Sequence, residues 1–240
     1  RPADGLRAAL GIPGSAKLVG FLGRLSPEKG PDVFLRAALL AHSRLADTHF
    51  VFIGDGPLAP QLRETIARFR LEDRVHLAGV RRDVATVLND IDVLVSSSHS
   101  EAMPLAVMEA MASGLPVVAT RVGGVPDMID QGESGWLVAP NDFEEIATRV
   151  HHILGTPGEL ARMSAAARQR AVDKMALSDT VERMAALMTR LVPARTTQRE
   201  ISAVVNEPGR RRLAPSRPAT AGVVASAANG GTPAPGARAD

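Results

Sequence analysis

Cysteine is absent from the 240 residues, which excludes disulfides and thiolate-held metals. The six histidines are scattered along the chain, without the spacing that lets imidazoles share an ion, so only carboxylates could hold a metal and none is expected. No apolar run reaches the length of a bilayer crossing, and no charged start leads into an apolar stretch as in a secretory signal, so a cytoplasmic address is the expectation. Also missing is G-x-G-x-x-G after the first strand-like run, where FLGRLSPEKG (21–30) stands instead. That argues against a dinucleotide-binding domain, and no cofactor and no nucleic acid partner are expected.

What is present suffices for a core, since 45% of the residues are hydrophobic and the length allows one large domain or two small ones. The formal charge of +2 conceals an asymmetry: residues 194–240 hold seven Arg and three acids, leaving 21 basic and 23 acidic residues in 1–193. Beyond Pro193 the chain is dominated by Ala, Pro, Gly, Arg and Ser without apolar period. Such a segment cannot offset its ordering entropy, so residues 194–240 are expected to be a disordered tail after a domain over 1–193. Its basic character also suits a peripheral contact with an anionic inner membrane face.

Residues 1–16 read as a short helix closed by Gly11 and Pro13. Strand-like runs then alternate with helical ones: Lys17–Leu22 with Asp32–Leu45, His49–Ile53 with Leu58–Phe69, Val75–Leu77 with Asp83–Asn89. Val93–Ser96 pairs with Leu105–Ser113, Val117–Thr120 with Pro126–Asp130, and Gly135–Val138 with Glu144–Ile153. Continuous apolar strands joined through amphipathic helices indicate an α/β fold, a doubly wound Rossmann-like parallel sheet of about six strands covered on both faces. Two extra helices, Gly158–Lys174 and Leu177–Leu191, follow the sheet. Ligands of such sheets bind beyond the carboxyl ends of the strands. The candidate turns are therefore Gly23-Arg24, Gly54-Asp55-Gly56, Gly79-Val80-Arg81, Ser98–Glu101 and Arg121–Gly124.

The densest of these regions is SSSHSEAMPLAVMEAMASGLPVVAT (96–120). Its helix is apolar nearly all round, so it is expected to be buried, and Glu109 within it needs a partner or a ligand. Pro104 suits the first helical position, leaving the N–H groups of Ala102, Met103 and Leu105 near an open, anion-attracting helix end. Glu101 precedes that end, and Glu109 lies roughly 8 Å beyond Pro104 along the axis. Two carboxylates flanking an anion site suit a ligand with hydroxyls at both ends and phosphates in its middle, as in a nucleotide-sugar. Asp90-Ile91-Asp92 lies at a helix-to-strand junction, which it is expected to cap or solvate.

The runs GRLSPEKG (23–30), GDGP (54–57), RVHLAGV (74–80), SEAMPLAVMEAMASGLPVVAT (100–120) and GGVPDMIDQGESGWLVAPND (123–142) together resemble the retaining glycosyltransferases of family 4. The resemblance covers roughly residues 6–190, with the motifs in the family's order. It implies the C-terminal, donor-binding half of a two-domain GT-B enzyme that moves a hexose from a nucleoside diphosphate to an acceptor hydroxyl, as in polysaccharide or glycoconjugate synthesis. The N-terminal acceptor domain would be its missing partner, and the acceptor a glycan, a lipid or a small molecule. A non-catalytic nucleotide-sugar-binding fragment or regulatory paralogue is the alternative.

By the same resemblance Arg24 and Lys29, beside Gly23, hold the donor diphosphate, where cations stabilise charge that develops on the leaving group. Glu101 and Glu109 match the family's Glu-seven-Glu pair, Glu101 at the sugar hydroxyls and Glu109 on the ribose. The backbone over Ala102, Met103, Pro104 and Leu105 faces phosphate and sugar oxygens, and that of Val80 meets the base, with UDP favoured. Arg24, Lys29 and Glu101 are the implied catalytic residues, and no metal takes part. Ala102 stands where the family usually has Gly, a position that would be strained here if it required a positive φ.

Overall fold

The computed structural model describes residues 5–45, 47–175 and 177–191. The chain divides into two units, Arg1–Thr189 and Arg190–Asp240, and the fold is that of the first. The expected tail, 194–240, and the boundary after Pro193 lie outside the described residues.

In chain order the elements are α1 (Leu6–Ala9), β1 (Lys17–Leu22), α2 (Pro31–Ala41), β2 (Thr48–Ile53), α3 (Ala59–Arg68), β3 (Val75–Leu77), α4 (Val84–Asp90) and β4 (Val93–Ser96). There follow α5 (Leu105–Ala112), β5 (Val117–Thr120), α6 (Val125–Met128), β6 (Gly135–Val138), α7 (Phe143–Gly155), α8 (Glu159–Lys174) and α9 (Leu177–Leu191). The six strands form one sheet in the order β3-β2-β1-β4-β5-β6, every pairing parallel. This is the doubly wound arrangement that the alternation predicts. Helix ends differ by a few residues: α2 stops at Ala41 rather than Leu45, and α6 occupies Val125–Met128 rather than Pro126–Asp130.

Burial on both faces explains why the strands read as unbroken apolar runs. On one face Val19, Phe21, Phe50, Phe52, Val93 and Val95 pack under Phe34 and Ala38 of α2, Leu62 and Ile66 of α3, and Ile146 and Val150 of α7. On the other, Leu18, Val51, Ile53, Leu94 and Ala119 meet Leu6 of α1, Val87 and Leu88 of α4, Val107, Ala110 and Met111 of α5, and Met128 of α6. Helix α8 serves both layers, with Met163 on the first and Ala167 and Ala171 on the second. Phe34 sits edge-on to Phe52 at 4.9 Å between ring centres, and burying such a ring contributes about 2 to 3 kcal/mol.

The strand order carries the functional consequence. Beyond β1 the chain winds outward to β2 and β3, returns to lay β4 against the other side of β1, and continues outward to β5 and β6. The turns after β1 and β4 therefore leave the sheet in opposite directions and open a crevice between them, the topological switch point where ligands of such sheets settle.

Candidate functional site

The chain leaves β1 through Gly23 and Arg24 into a 3-10 turn, Pro27–Lys29. Pro27 starts this turn, and Gly30 closes it with φ of 60°. Only glycine fits there, because a Cβ at Gly30 would overlap the carbonyl oxygen of Ser97. Two hydrogen bonds then tie the loop after β1 to the loop after β4: Ser97 Oγ donates to the Gly30 carbonyl at 2.7 Å, and the His99 N–H donates to the Glu28 carbonyl at 2.9 Å.

This stitching brings together charges that are far apart in the chain. Lys29 Nζ lies 2.7 Å from Glu101 Oε1, and Ser98 Oγ donates to the same oxygen at 2.7 Å. The Glu101 side chain is 9% exposed and that of Lys29 32%, so the acid is held in and the ammonium faces the opening. Behind them Thr120 Oγ1 donates to the Ser98 carbonyl. Gly123, with φ of 51°, lies against the carbonyl of Glu101, where a Cβ would overlap it, and the Gly124 N–H donates to the Ala102 carbonyl at 3.2 Å. Ala102 has no positive φ, which among the described non-glycine residues is confined to Arg70 and Asn141. The strain considered for an alanine at this position is absent.

A cavity of about 300 Å³ opens at the switch point, walled by Leu22 and Gly23 on one side, Ser96, Ser98 and Glu101 on another, and Met103, Pro104 and Leu105 at the start of α5. Pro104 is the N-cap of that helix rather than its first residue, and no side chain caps the helix end, so its leading N–H groups remain available to an anion. Beside the cavity and sharing Leu22 and Gly23 with it lies a shallower depression of about 260 Å³ with Arg24, Asp55, Val80 and Arg81. Arg81 is engaged by Asp83 at 2.6 Å. Arg24 is exposed and has no side-chain ion pair among the described residues. Glu28, on the same loop, is held below the usual carboxylate range first by the hydrogen bond from Ser26, then by its own N–H and the cations of Arg24 and Lys29.

Of the expected site residues, Gly23, Lys29, Glu101, Met103, Pro104 and Leu105 line the main cavity, and Arg24 and Val80 line its neighbour. Ala102 is exposed beside them, and Glu109 lines neither. The expectation that Glu109 sits in a buried helix needs correction. Only Val107, Ala110 and Met111 of α5 are buried, because this short helix presents one side to the sheet; its outer side carries Glu109, and Leu105 there is 66% exposed. Ser98 was visible in the sequence as the start of the candidate turn after the fourth strand and as one of three consecutive serines, with nothing to show which would turn toward Glu101.

Asp90 and Asp92 also depart from expectation. They are 1% and 8% exposed and, instead of being solvated, meet Arg7. Arg7 Nη2 donates to Asp92 Oδ2 at 2.7 Å, and the Arg7 N–H donates to Asp90 Oδ2 at 3.2 Å. This cluster sits at the amino ends of β1 and β4, opposite the cavity. Among the described residues no three His, Asp or Glu side chains are grouped to hold a metal, and no helix is long and apolar enough to cross a membrane.

Comparison with known proteins places this geometry in context. The family described as "Glycosyl transferases group 1" matches residues 16–156. A D-inositol 3-phosphate glycosyltransferase of Saccharomonospora viridis is 35% identical over 176 residues, 69% of this chain and 41% of that protein. HepE of Anabaena, solved in complex with UDP and with UDP-glucose, superposes with a TM-score of 0.70 at 26% identity, over 78% of this chain and 52% of its own. The C-terminal domain of LpcC, a group 1 glycosyltransferase of Francisella tularensis, shares the fold with a TM-score of 0.66 at 24% identity, over 71% of this chain and 91% of that domain. The chain thus spans about 41% of the length of the first of these relatives.

Proposed function

Because the chain belongs to the group 1 glycosyltransferases, we propose that it is the donor-binding half of an enzyme that transfers a hexose, with retention, from a nucleoside diphosphate to an acceptor hydroxyl. The carrying observation is the constellation at the switch point: Lys29 on Glu101 at 2.7 Å within a cavity that also receives the uncapped start of α5. UDP is the favoured carrier, since HepE, similar in fold and sequence, was solved with UDP and UDP-glucose.

In this reading the diphosphate lies between the Lys29 ammonium, the Arg24 guanidinium and the α5 N–H groups. Charge that develops on the leaving group as the glycosidic bond breaks is then met by donors already in place. Lys29 carries three N–H donors, so it can keep Glu101 while it meets phosphate. Glu101 orients the sugar through its hydroxyls. The backbone at Val80 reads the base, and Glu109 takes the ribose of a nucleotide that runs along the outer side of α5. The acceptor, a glycan, a lipid or a small molecule, is presented by a second, N-terminal domain. Positioning two reactants can supply about 7 to 11 kcal/mol of barrier reduction, so this half binds donor and does not transfer sugar by itself.

A thermal-shift series with UDP-, GDP- and ADP-glucose tests the reading. A rise in Tm with one carrier is expected, UDP first. No shift with any of the three would remove the donor-site assignment. Transfer by the 240-residue chain at the rate of one extended by an acceptor domain would remove the division of labour.

A further inference from the structure

We propose that Ser98 is a positioning residue that sets the orientation of the Glu101 carboxylate toward the donor sugar, an assignment that rests on the donor-site reading above. A carboxylate at the end of a glutamate turns freely about its last torsion. Here two donors converge on one of its oxygens, Lys29 Nζ and Ser98 Oγ, each at 2.7 Å. Oε1 is thereby occupied, and Oε2 accepts no hydrogen bond among the described residues. The plane of the carboxylate is fixed, and one oxygen remains to accept from sugar hydroxyls.

The two donors are not equivalent. Lys29 is about one third exposed, ends a long flexible stem, and bears the charge that a diphosphate draws toward itself. When ligand arrives its ammonium is shared between Glu101 and phosphate. Ser98 is 3% exposed, has a single side-chain torsion to its oxygen, and is neutral. Its backbone is anchored from behind, where Thr120, itself 1% exposed, donates its hydroxyl to the Ser98 carbonyl. The preceding residue is tied to the other loop through Ser97 Oγ and the Gly30 carbonyl. Ser98 therefore keeps Glu101 aligned in the liganded state, when Lys29 is shared with phosphate. Ser98 lines the cavity, but the one proton of its hydroxyl is given to Glu101, so as a donor it acts on the sugar through that acid.

The consequence separates sugar from nucleotide. Removing the Ser98 hydroxyl should leave the diphosphate contacts in place and reduce only the affinity that the sugar adds. The experiment is calorimetry with UDP and with UDP-glucose on the whole chain, on Ser98→Ala, on the size-matched Ser98→Cys, on Glu101→Ala and on the Ser98→Ala, Glu101→Ala double variant. Ser98→Ala is expected to change UDP affinity less than about twofold and to lower the UDP-glucose to UDP affinity ratio about five- to tenfold, the size of an ordinary intramolecular hydrogen bond. Ser98→Cys, a weak donor of similar volume, should fall between, and it stands in if the alanine variant does not fold. In the Glu101→Ala background Ser98→Ala should have no further effect on the ratio, the non-additivity of residues that act as a unit. An unchanged ratio in Ser98→Ala and Ser98→Cys, or additive losses in the double variant, overturns the positioning role alone. Absence of binding of either ligand by the unsubstituted chain overturns the donor-site reading and the Ser98 assignment with it.

Discussion

Lys29 Nζ and Glu101 Oε1 are 2.7 Å apart although 72 residues separate them in the chain, and the pair joins the turn after β1 to the turn after β4. These are the two strands between which the sheet reverses its winding. The ion pair is partly open to solvent, so its worth to stability is small, about 1 kcal/mol or less. Its consequence is positional: a cation and an acid, proposed above to meet phosphate and sugar hydroxyls, are held side by side at the switch point.

Replacing both Arg24 and Lys29 by alanine should lower the affinity for UDP far more than that for uridine, since only the former bears the charge these side chains are proposed to meet. Calorimetry with the two ligands checks this. Equal losses would mean that the loop had been damaged rather than its charge removed.

For Glu109→Ala the expectation is a loss of about 1.5 to 3 kcal/mol in UDP affinity if the carboxylate holds the ribose through charge-assisted hydrogen bonds. Glu109 is exposed, so the substitution should leave Tm unchanged. Unaltered UDP binding would reduce it to a surface acid one turn beyond the cavity.

Asp92→Ala should act in the opposite way. It takes from Arg7, which is 5% exposed, the carboxylate that its Nη2 meets at 2.7 Å, and breaking a buried pair by removing one partner costs about 3 to 5 kcal/mol. Urea unfolding should show that loss. UDP affinity should hold, because the cluster lies at the amino ends of the strands.

Stability should also depend on pH through His49 and His76, whose ring nitrogens are 3.0 Å apart on adjacent strands. Burial is the first cause that depresses both, followed for His49 by Arg74 and Arg7 against Asp73 and Asp47, and for His76 by His49 against Asp73. Depressed imidazoles bind protons less readily folded than unfolded. Their contribution is therefore complete above the ordinary value of 6.5 and is lost as pH falls below it toward the lowered folded values. Tm should drop between neutral pH and pH about 5, and the drop should shrink in a His49→Gln, His76→Gln variant. Equal slopes in both proteins would place the sensitivity elsewhere.

The sequence by itself determined the layers. Six apolar runs, each short and unbroken, alternate with amphipathic helices, and that local pattern is enough to specify a parallel sheet covered on both faces. Five strands begin and end where the pattern places them, and β2 gains one residue, Thr48. That the cations of the first loop and the acid before α5 lie beyond the carboxyl ends of the strands, where ligands of such sheets settle, was also legible, because each stands in a turn that follows a strand.

What only the tertiary structure decided is which of these turns meet. Periodicity reports the face a side chain occupies and not the strand its own strand will lie beside; the neighbour relation of β1 and β4 placed Lys29 on Glu101 and chose Ser98 from three serines. The same limit explains Glu109, whose helix reads as apolar all round but is short enough to bury one side alone. It explains Asp90 and Asp92 as well. Their burial depends on Arg7, 85 residues from Asp92 in the chain, and a partner so distant leaves no trace in local pattern, because the hydrogen bonds exist only once the amino ends of β1 and β4 are side by side.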